Sequence, residues 1–383
     1  MENIDSYQQQ SSYPQKIEDI LKLLSGAGLS VLRVSTLTIP KLGDVIDVYV
    51  DKPLPEEEFN KLYVKTLEKL KFMPLQFSST EPLLRFIPVK FEPKTKLKII
   101  LLSITLFTVF LTGYGLSESF YSLLGGMGNV WLGATIYTLF FLAALAIHEY
   151  GHMRASKKHG VLIDGPFFIP APPIQVGFIG TLGAVISMKT LPPDRKSLAK
   201  LGISGPLAGY IIALIIGVIG LLLSPQITYQ QAAQLVASGQ AGEIGFMPVT
   251  LIIIEQFISI PPGYTIVLHP LALASFILLL VTFLNLLPIG QLDGGHVIRS
   301  FTDAKTHDLL GYAVIITMAL MGLLIGGHMG AYYIMLSFIL MIFKMIFGRH
   351  KHPGPANQLA KKKDYKILAI YIALVILTFP LPL

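Results

Sequence analysis

The sequence predicts a polytopic α-helical membrane protein of about seven spans, with a re-entrant β-hairpin and a small N-terminal α+β domain in the cytoplasm. Composition supports this fold class, because 52% of the 383 residues are hydrophobic and only 14% are charged, whereas about a quarter of a soluble domain is charged. The charged residues are concentrated before residue 98, and the apolar runs that follow alternate with short basic stretches. The chain contains no cysteine, which excludes disulfides and thiolate metal sites.

The first 92 residues divide into two predicted parts. The polar residues 1–14 are expected to be disordered, and residues 15–92 are expected to form the cytoplasmic α+β domain. Apolar residues recur at helical spacing in two segments and alternate as in strands in others. The helical segments are KIEDILKLLSGAG and LPEEEFNKLYVKTLEKLKF, and the strand segments are LSVLRVSTLTI, DVIDVYV and LLRFIPVKF. No catalytic motif occurs here, so we expect a regulatory or interaction module.

Residues 98–383 are predicted to form the membrane domain. The apolar runs lie at about 98–116, 130–150, 201–223, 266–288, 308–326, 331–347 and 366–381. A spanning helix needs about 20 residues, so the last two runs are short for a span.

Lysine and arginine predict the orientation of these spans. Basic residues flank the runs, whereas residues 224–265 contain no lysine or arginine. If every run spans, all basic clusters fall on one side, and the positive-inside rule assigns that side to the cytoplasm. We therefore expect a multi-pass protein of the cell membrane with its C-terminus outside. This orientation accounts for the net charge of +7 without nucleic acid as a partner.

Residues 161–190 do not resemble a spanning helix. The segment VLIDGPFFIPAPPIQVGFIGTLGAVISMKT is apolar but interrupted by proline and glycine, and its second half alternates like a strand. Unpaired backbone amides are costly in lipid, so such a segment requires a protein-lined or wet cavity. Because both flanks are basic, we predict a re-entrant β-hairpin that enters from the cytoplasmic side.

A metal-binding pattern lies at the end of the second apolar run, in LAIHEYGHMRASKKHG. His148 and His152 are four residues apart, so a helix presents both imidazoles on one face. Glu149 completes the H-E-x-x-H pattern, in which the histidines bind zinc and the glutamate activates water. The alternative is a group of interfacial side chains at a helix end. Ionisable residues within a span are costly, which favours the functional interpretation.

The stretch NLLPIGQLDGGH, at residues 285–296, offers a third ligand. Catalytic zinc sites usually have three protein ligands. Pro288 and Gly290 would break the preceding helix, and Asp293 follows before two glycines that allow close approach of a neighbour. Both motifs are predicted at cytoplasmic span ends, so we expect Asp293 to meet the histidines.

These motifs resemble the site-2 protease family of intramembrane zinc metalloproteases, in its prokaryotic and plastid branch. The resemblance covers a core of residues 130–300 and rests on HEYGH, GTLGAVISMK, GISGPLAG and HPLALASFILLLVTFLNLLPIGQLDGGH. It implies one zinc ion per chain held by His148, His152 and Asp293, with Glu149 as the catalytic acid and base. It also implies that the enzyme hydrolyses peptide bonds within transmembrane segments of protein substrates in the lipid bilayer. The oligomeric state is not predicted.

Asn285 is a further candidate for the catalytic site. A lone amide in TFLNLLP needs hydrogen bonds, and it could orient a substrate carbonyl or stabilise an oxyanion. A cap on the helix after the break is an equal alternative. His269, His296 and His328 are not expected to bind the metal.

Two other functions compete with proteolysis in the membrane. A metal transporter would spread polar residues along its spans, whereas here they gather at one depth. An unrelated membrane zinc protease acting on soluble or lipidated substrates would not require the LDGG partner of the histidine motif.

Overall fold

The computed structural model describes residues 13–40, 42–77, 81–347 and 351–383. The predicted disordered segment lies outside the described residues except for its last two, because the first helix begins at Tyr13. The described helices are α1 Tyr13–Gly26, α2 Glu56–Leu70, α3 Thr95–Leu123, α4 Val130–Lys158, α5 Arg195–Leu222, α6 Tyr229–Ala237, α7 Val249–Glu255, α8 Pro270–Leu286, α9 Asp293–Phe301, α10 Ala304–Ile325, α11 Gly327–Phe347 and α12 Tyr365–Thr378. The described strands are β1 Val31–Ile39, β2 Gly43–Val50, β3 Phe72–Phe77, β4 Leu83–Pro88, β5 Ile163–Pro170, β6 Thr181–Met188, β7 Gln226–Thr228, β8 Phe246–Pro248, β9 Tyr264–Ile266 and β10 Pro380–Pro382.

The N-terminal region is a four-stranded antiparallel sheet packed with α1 and α2. The strand order is β1-β2-β4-β3. Buried side chains of the helices, such as Ile20 and Phe59, share one core with Ile46 and Phe86 of the strands. The helices and three of the strands coincide with the patterned segments of the sequence. The strand β3 was not predicted.

The rest of the described chain is mostly helical. Each predicted apolar run coincides with one helix, and these helices are α3, α4, α5, α8, α10, α11 and α12. Five of them, α3, α4, α5, α10 and α11, are long and apolar enough to cross a membrane. The other two, α8 and α12, are shorter, with 17 and 14 residues. The described chain therefore contains five candidate membrane-spanning helices and a few small sheets.

The helices α4, α5 and α8 form the centre of the bundle. Phe141, Ala213 and Leu279, one from each helix, are buried in the same apolar core. Ser275 of α8 donates a hydrogen bond of 2.7 Å to the Ala213 carbonyl of α5. Small and hydroxyl side chains of this kind allow helices in an apolar surrounding to approach closely and bond to each other.

Residues 163–188 contain the antiparallel pair β5 and β6. The pair packs against α3, where the Thr108 hydroxyl donates to the Gly180 carbonyl at 2.6 Å. At the other end of the pair, Lys98 Nζ lies 2.5 Å from Asp164 Oδ1. These contacts fix the pair beside the bundle, with β6 next to the end of α4.

The segment 351–364, between α11 and α12, joins the N-terminal sheet to the helices. The Gln76 amide in β3 donates to the Ala356 carbonyl at 3.0 Å. Arg195, at the start of α5, donates to the Ala360 carbonyl at 2.8 Å. The sheet, the start of α5 and this segment therefore lie at one end of the bundle.

The opposite end of the bundle carries two short sheets. β7 pairs with β9 within residues 226–266, and β8 pairs with β10 near the end of the chain. In the second pair, Met247 lies opposite Leu381. The last described strand is therefore at the same end as the lysine-free residues 224–265.

Candidate metal centre

The helix α4 carries both predicted histidines on one buried face. Its start is capped by Asn129, whose side chain accepts a hydrogen bond from the Leu132 amide at 3.1 Å. Near its other end, the Nε2 atoms of His148 and His152 lie 3.2 Å apart. This spacing follows from the four-residue separation on a regular helix.

Asp293 reaches the histidines because the polypeptide leaves the helical conformation between α8 and α9 and changes direction there. Its Oδ2 lies 3.3 Å from His148 Nε2, and its Oδ1 lies 3.2 Å from His152 Nε2. The helix α8 ends at Leu286, and Gly290 turns the chain with a φ of 54°. A methyl group on either glycine after Asp293 would overlap backbone atoms of the preceding turn. The two glycines are therefore required for the carboxylate to enter the site.

The helix α5 forms the wall behind the histidines through two glycines of GISGPLAG. A side chain at Gly205 would overlap the His152 ring. At Gly209, a Cβ atom would lie 2.9 Å from His148 Nδ1. The glycines therefore leave room for the two imidazoles between α4 and α5.

The hydrogen bonding of His152 prepares this side chain to bind a metal. Its Nδ1 lies 2.8 Å from the Leu201 carbonyl of α5. A carbonyl only accepts hydrogen bonds, so Nδ1 carries a proton, and Nε2 is the ring nitrogen left to bind a metal beside Asp293. Metal-binding histidines commonly donate their second N–H to such an acceptor. The geometry therefore selects the tautomer that a metal requires.

The ligand set fits zinc. His148, His152 and Asp293 each offer one ligand atom, and these atoms lie within 4.8 Å of one another. Among the described residues, they form the one group of three such side chains with this geometry. Zinc takes imidazole and carboxylate ligands, and three of them leave a fourth position open.

Glu149 and Asn285 both line the cavity of about 150 Å³ that contains the three ligands. The Glu149 side chain is only 5% exposed and has no hydrogen bond or ion pair with any described residue. The Asn285 amide likewise has no hydrogen bond with the described residues, and no side chain caps the start of α9. The capping alternative for Asn285 therefore has no support in this geometry.

The other histidines have different environments. His269 caps the start of α8, with Nδ1 accepting the Leu271 amide at 3.2 Å, at the end of that helix away from Asn285. The His328 side chain lies outside the described residues. His296 is not part of the group of ligands, but it lines the same cavity. Sequence reasoning did not find this last position, although the three-residue spacing from Asp293 on a helix would have indicated it.

The fold and this site together define a membrane protein with a buried histidine–carboxylate metal centre. Residues 136–326 match peptidase family M50. The matched part of the chain is similar to this family, which is the family of the site-2 proteases. The resemblance inferred from the motifs is thereby confirmed, and zinc is the metal that the family and the ligand set indicate.

Curated relatives support the same family. The chain is 29% identical over 243 residues to a probable zinc metalloprotease, EGY2, chloroplastic, of Arabidopsis thaliana, a match covering 62% of this chain and 41% of the relative. It is 33% identical over 200 residues to the probable zinc metalloprotease EGY1, chloroplastic, of Oryza sativa subsp. japonica, covering 49% of this chain and 31% of the relative. The matches thus span less than half the length of these relatives. No solved structure matches the chain. The transporter alternative finds no support in these comparisons.

Proposed function

We propose that the protein is an intramembrane zinc metalloprotease that hydrolyses peptide bonds within transmembrane segments of membrane-protein substrates. One observation carries the proposal: the His148, His152 and Asp293 group shares a cavity with the unpaired Glu149 carboxylate. This cavity lies among helices that are apolar and long enough to cross a membrane.

The proposed chemistry divides between the metal and the side chains. Zinc held by His148, His152 and Asp293 would supply a Lewis acid that polarises a peptide carbonyl and acidifies water. Glu149 acts as the general base that accepts the proton of the attacking water. Its carboxyl then delivers this proton to the amine of the leaving peptide. The Asn285 amide, free to donate into the cavity, binds the carbonyl oxygen on which negative charge develops.

The surroundings of the metal centre suit an apolar substrate. A second cavity of about 140 Å³ shares His148, Glu149 and Asn285 with the first. Its other walls include side chains of β6, α4, α8 and α11, and they are mostly apolar, among them Leu182, Leu145, Leu278 and Phe343. A transmembrane segment is apolar along its length, so this second cavity provides a compatible path to the metal.

The strand β6 is our candidate for holding the substrate extended. It pairs with β5 on one side, and no described strand pairs with its other edge. Leu182 and Val185 of β6 are 68% and 51% exposed, and both line the second cavity. An unpaired edge can bind an extended peptide by strand addition. A helical substrate would have to unwind locally before it could pair there.

Proline substitutions in β6 test this role. Leu182→Pro, Val185→Pro and Ile186→Pro each remove one backbone donor, so at least one should strongly reduce cleavage while the zinc content stays normal. Cleavage rate and metal content are measured together, and alanine at the same positions is the control. Unchanged cleavage across all three proline variants would exclude strand addition at this edge.

We propose a seven-span topology with the N-terminal domain in the cytoplasm and the C-terminus outside. The packing of the N-terminal sheet beside the start of α5 and the segment 351–364 supports one common face for the basic clusters. The pairing of β8 with β10 supports a common face for residues 224–265 and the end of the chain. The pair β5 and β6 would then enter from the cytoplasmic side, where the metal lies at shallow depth.

Single cysteines in this cysteine-free chain test the orientation. Ser238 and Lys157 are both exposed and lie at opposite ends of the bundle in the proposed topology. On intact cells, Ser238→Cys should react with an impermeant thiol reagent, and Lys157→Cys should react only after the membrane is permeabilised. The inverted labelling pattern would place the metal centre at the outer face.

Cleavage of defined membrane substrates tests the function itself. The purified protein in lipid vesicles is incubated with single-span proteins labelled at both ends, and the cut is located by mass spectrometry. We expect cleavage within the span, loss of cleavage with a zinc chelator, and recovery when zinc is returned. Cleavage outside the span only, or cleavage that the chelator does not affect, would contradict the proposal.

A further inference from the structure

His296 is placed to contact a substrate beside the metal ligands. It follows Asp293 by three residues on α9, so both side chains lie on neighbouring positions of one helix face. Its side chain is 5% exposed and lines the cavity that contains the metal ligands and Glu149. It also borders an adjacent cavity between β3, the chain after β6 and the segment 351–364.

A chain of hydrogen bonds fixes where the His296 proton lies. The Gly354 amide donates to His352 Nδ1 at 3.0 Å. An amide can only donate, so this Nδ1 carries no proton, and the proton of the neutral His352 ring is on Nε2. His352 Nε2 lies 2.7 Å from His296 Nδ1 and therefore donates to it. The proton of His296 is consequently on Nε2.

The surroundings of His352 hold this arrangement in place. The ring is only 3% exposed, and burial lowers the pKa of His352, which keeps the imidazole neutral. Arg299 of α9 donates to the His352 carbonyl at 3.2 Å. His352 thus reaches α9 from the segment 351–364, which lies beyond the part of the chain that matches the family.

The Nε2 atom of His296 is free to donate a hydrogen bond to a substrate. Nε2 has no hydrogen-bond partner among the described residues, whereas Nδ1 is occupied by His352. A metal bridging the two imidazoles is incompatible with the proton that His352 Nε2 must carry. The series of hydrogen bonds from Gly354 through His352 to His296 therefore leaves one N–H donor, His296 Nε2–H, at the cavity that holds the metal ligands.

We propose that His296 is a catalytic residue that donates its Nε2–H to the substrate carbonyl oxygen, and that His352 is a positioning residue that fixes the required tautomer. The inference rests on the proposed proteolytic function. As the carbonyl carbon is attacked, its oxygen gains negative charge, and a fixed donor stabilises this charge more than it stabilises the bound substrate. His296 keeps its proton throughout, so Glu149 remains the group that moves protons.

Substitution of His296 tests the donor. His296→Leu removes it and should lower kcat by about 100-fold, the loss typical of one oxyanion donor, with little change in KM. His296→Gln retains an amide donor and should recover part of this rate. Both variants should bind zinc as the wild type does, which metal analysis checks. Wild-type kcat in His296→Leu would overturn the proposal, as would a loss of zinc that accounts for the lost rate.

Substitution of His352 tests the tautomer without relying on activity alone. In the zinc-free protein with isotope-labelled histidine, NMR should show the His296 proton on Nε2, and His296→Gln identifies the signal. In His352→Leu, both tautomers should be populated, and kcat of the zinc-loaded enzyme should fall by about 10-fold or more. His352→Gln can still donate to His296 and should restore the single tautomer. An unchanged tautomer in His352→Leu would overturn the positioning role.

Two comparisons separate this inference from the proposed function. His269→Asn retains a capping acceptor at the far end of α8 and should leave kcat unchanged. If the wild type cleaves within spans and Glu149→Gln does not, the proposed function holds, and full activity in His296→Leu then overturns only the role of His296. If the wild type with full zinc cleaves no membrane substrate, the proposed function itself fails.

Discussion

Glu149→Gln should abolish proteolysis and leave the zinc content unchanged. The amide has the shape of the carboxylate but cannot accept the proton of the attacking water, so the chemical step loses its general base. General acid–base catalysis typically contributes about 10²–10⁴-fold, and the loss of kcat should fall at the upper end because Glu149 both accepts and returns the proton. Single-turnover cleavage of a labelled membrane substrate measures the rate, and metal analysis of the same sample measures zinc.

The control is a second glutamate changed in the same way. Glu118 lies exposed near the end of α3, outside the cavity that holds the metal ligands. Glu118→Gln should cleave at the wild-type rate. If Glu149→Gln cleaves the substrate at the wild-type rate, another group carries the proton and the mechanism is misassigned. A parallel loss of zinc would instead show that Glu149 acts through the metal site.

Asp293→Ala should remove most of the bound zinc and with it the activity. The two imidazoles of His148 and His152 would remain, but two ligands hold zinc much more weakly than three. Loss of an outer partner of a ligand already costs about 10- to 100-fold in metal affinity, so loss of the ligand itself should cost more. Competition with a chelator of known affinity measures the change.

A neighbouring aspartate provides the matched control for this variant. Asp303 caps α10, where its Oδ1 accepts the amides of Lys305 and Thr306 at 2.8 Å each. Asp303→Ala should destabilise the protein through the lost cap, and its zinc affinity should be that of the wild type. Full zinc affinity in Asp293→Ala would remove this residue from the site.

Most of the site could be predicted because its ligands lie in short sequence motifs whose residue spacing indicates the local structure. A regular helix is enough to bring His148 and His152 together on one face. Ionisable residues are rare in membrane spans, so the two histidines stand out in an apolar run. Asp293 lies 141 positions after His152 in the sequence, but Pro288 and the following glycines marked the break that carries it inward. Its convergence with the histidines followed from the predicted sidedness of the spans.

Other parts of the fold left weaker signals. The strand β3 follows a charged helix directly, and Phe72 to Leu75 are all buried, so the alternation that indicates a strand is absent. The helix α6 lies in a segment described from the sequence only as a loop. Thr228 and Gln231 form a capping box there, which was a readable start signal.

The contact between His296 and His352 had no sequence signal at all. HPGPANQLA is rich in proline, glycine and polar residues and is typical of a linker. It is ordered against the sheet by backbone hydrogen bonds to Gln76, which no local pattern specifies. Packing between segments that are distant in the sequence therefore decided this part of the site.

The pairing of Gln76 with residues 356–358 has a consequence for how the protein is made. A ribosome delivers the sheet first and its last bonding partners some 280 positions later, after five candidate spans have been inserted. Until then, the nascent chain holds the three metal ligands but neither the edge contact of β3 nor the imidazole that orients His296. The cavity therefore reaches its full set of contacts only after residues 351–364 have been synthesised, later than the segments that carry the three metal ligands.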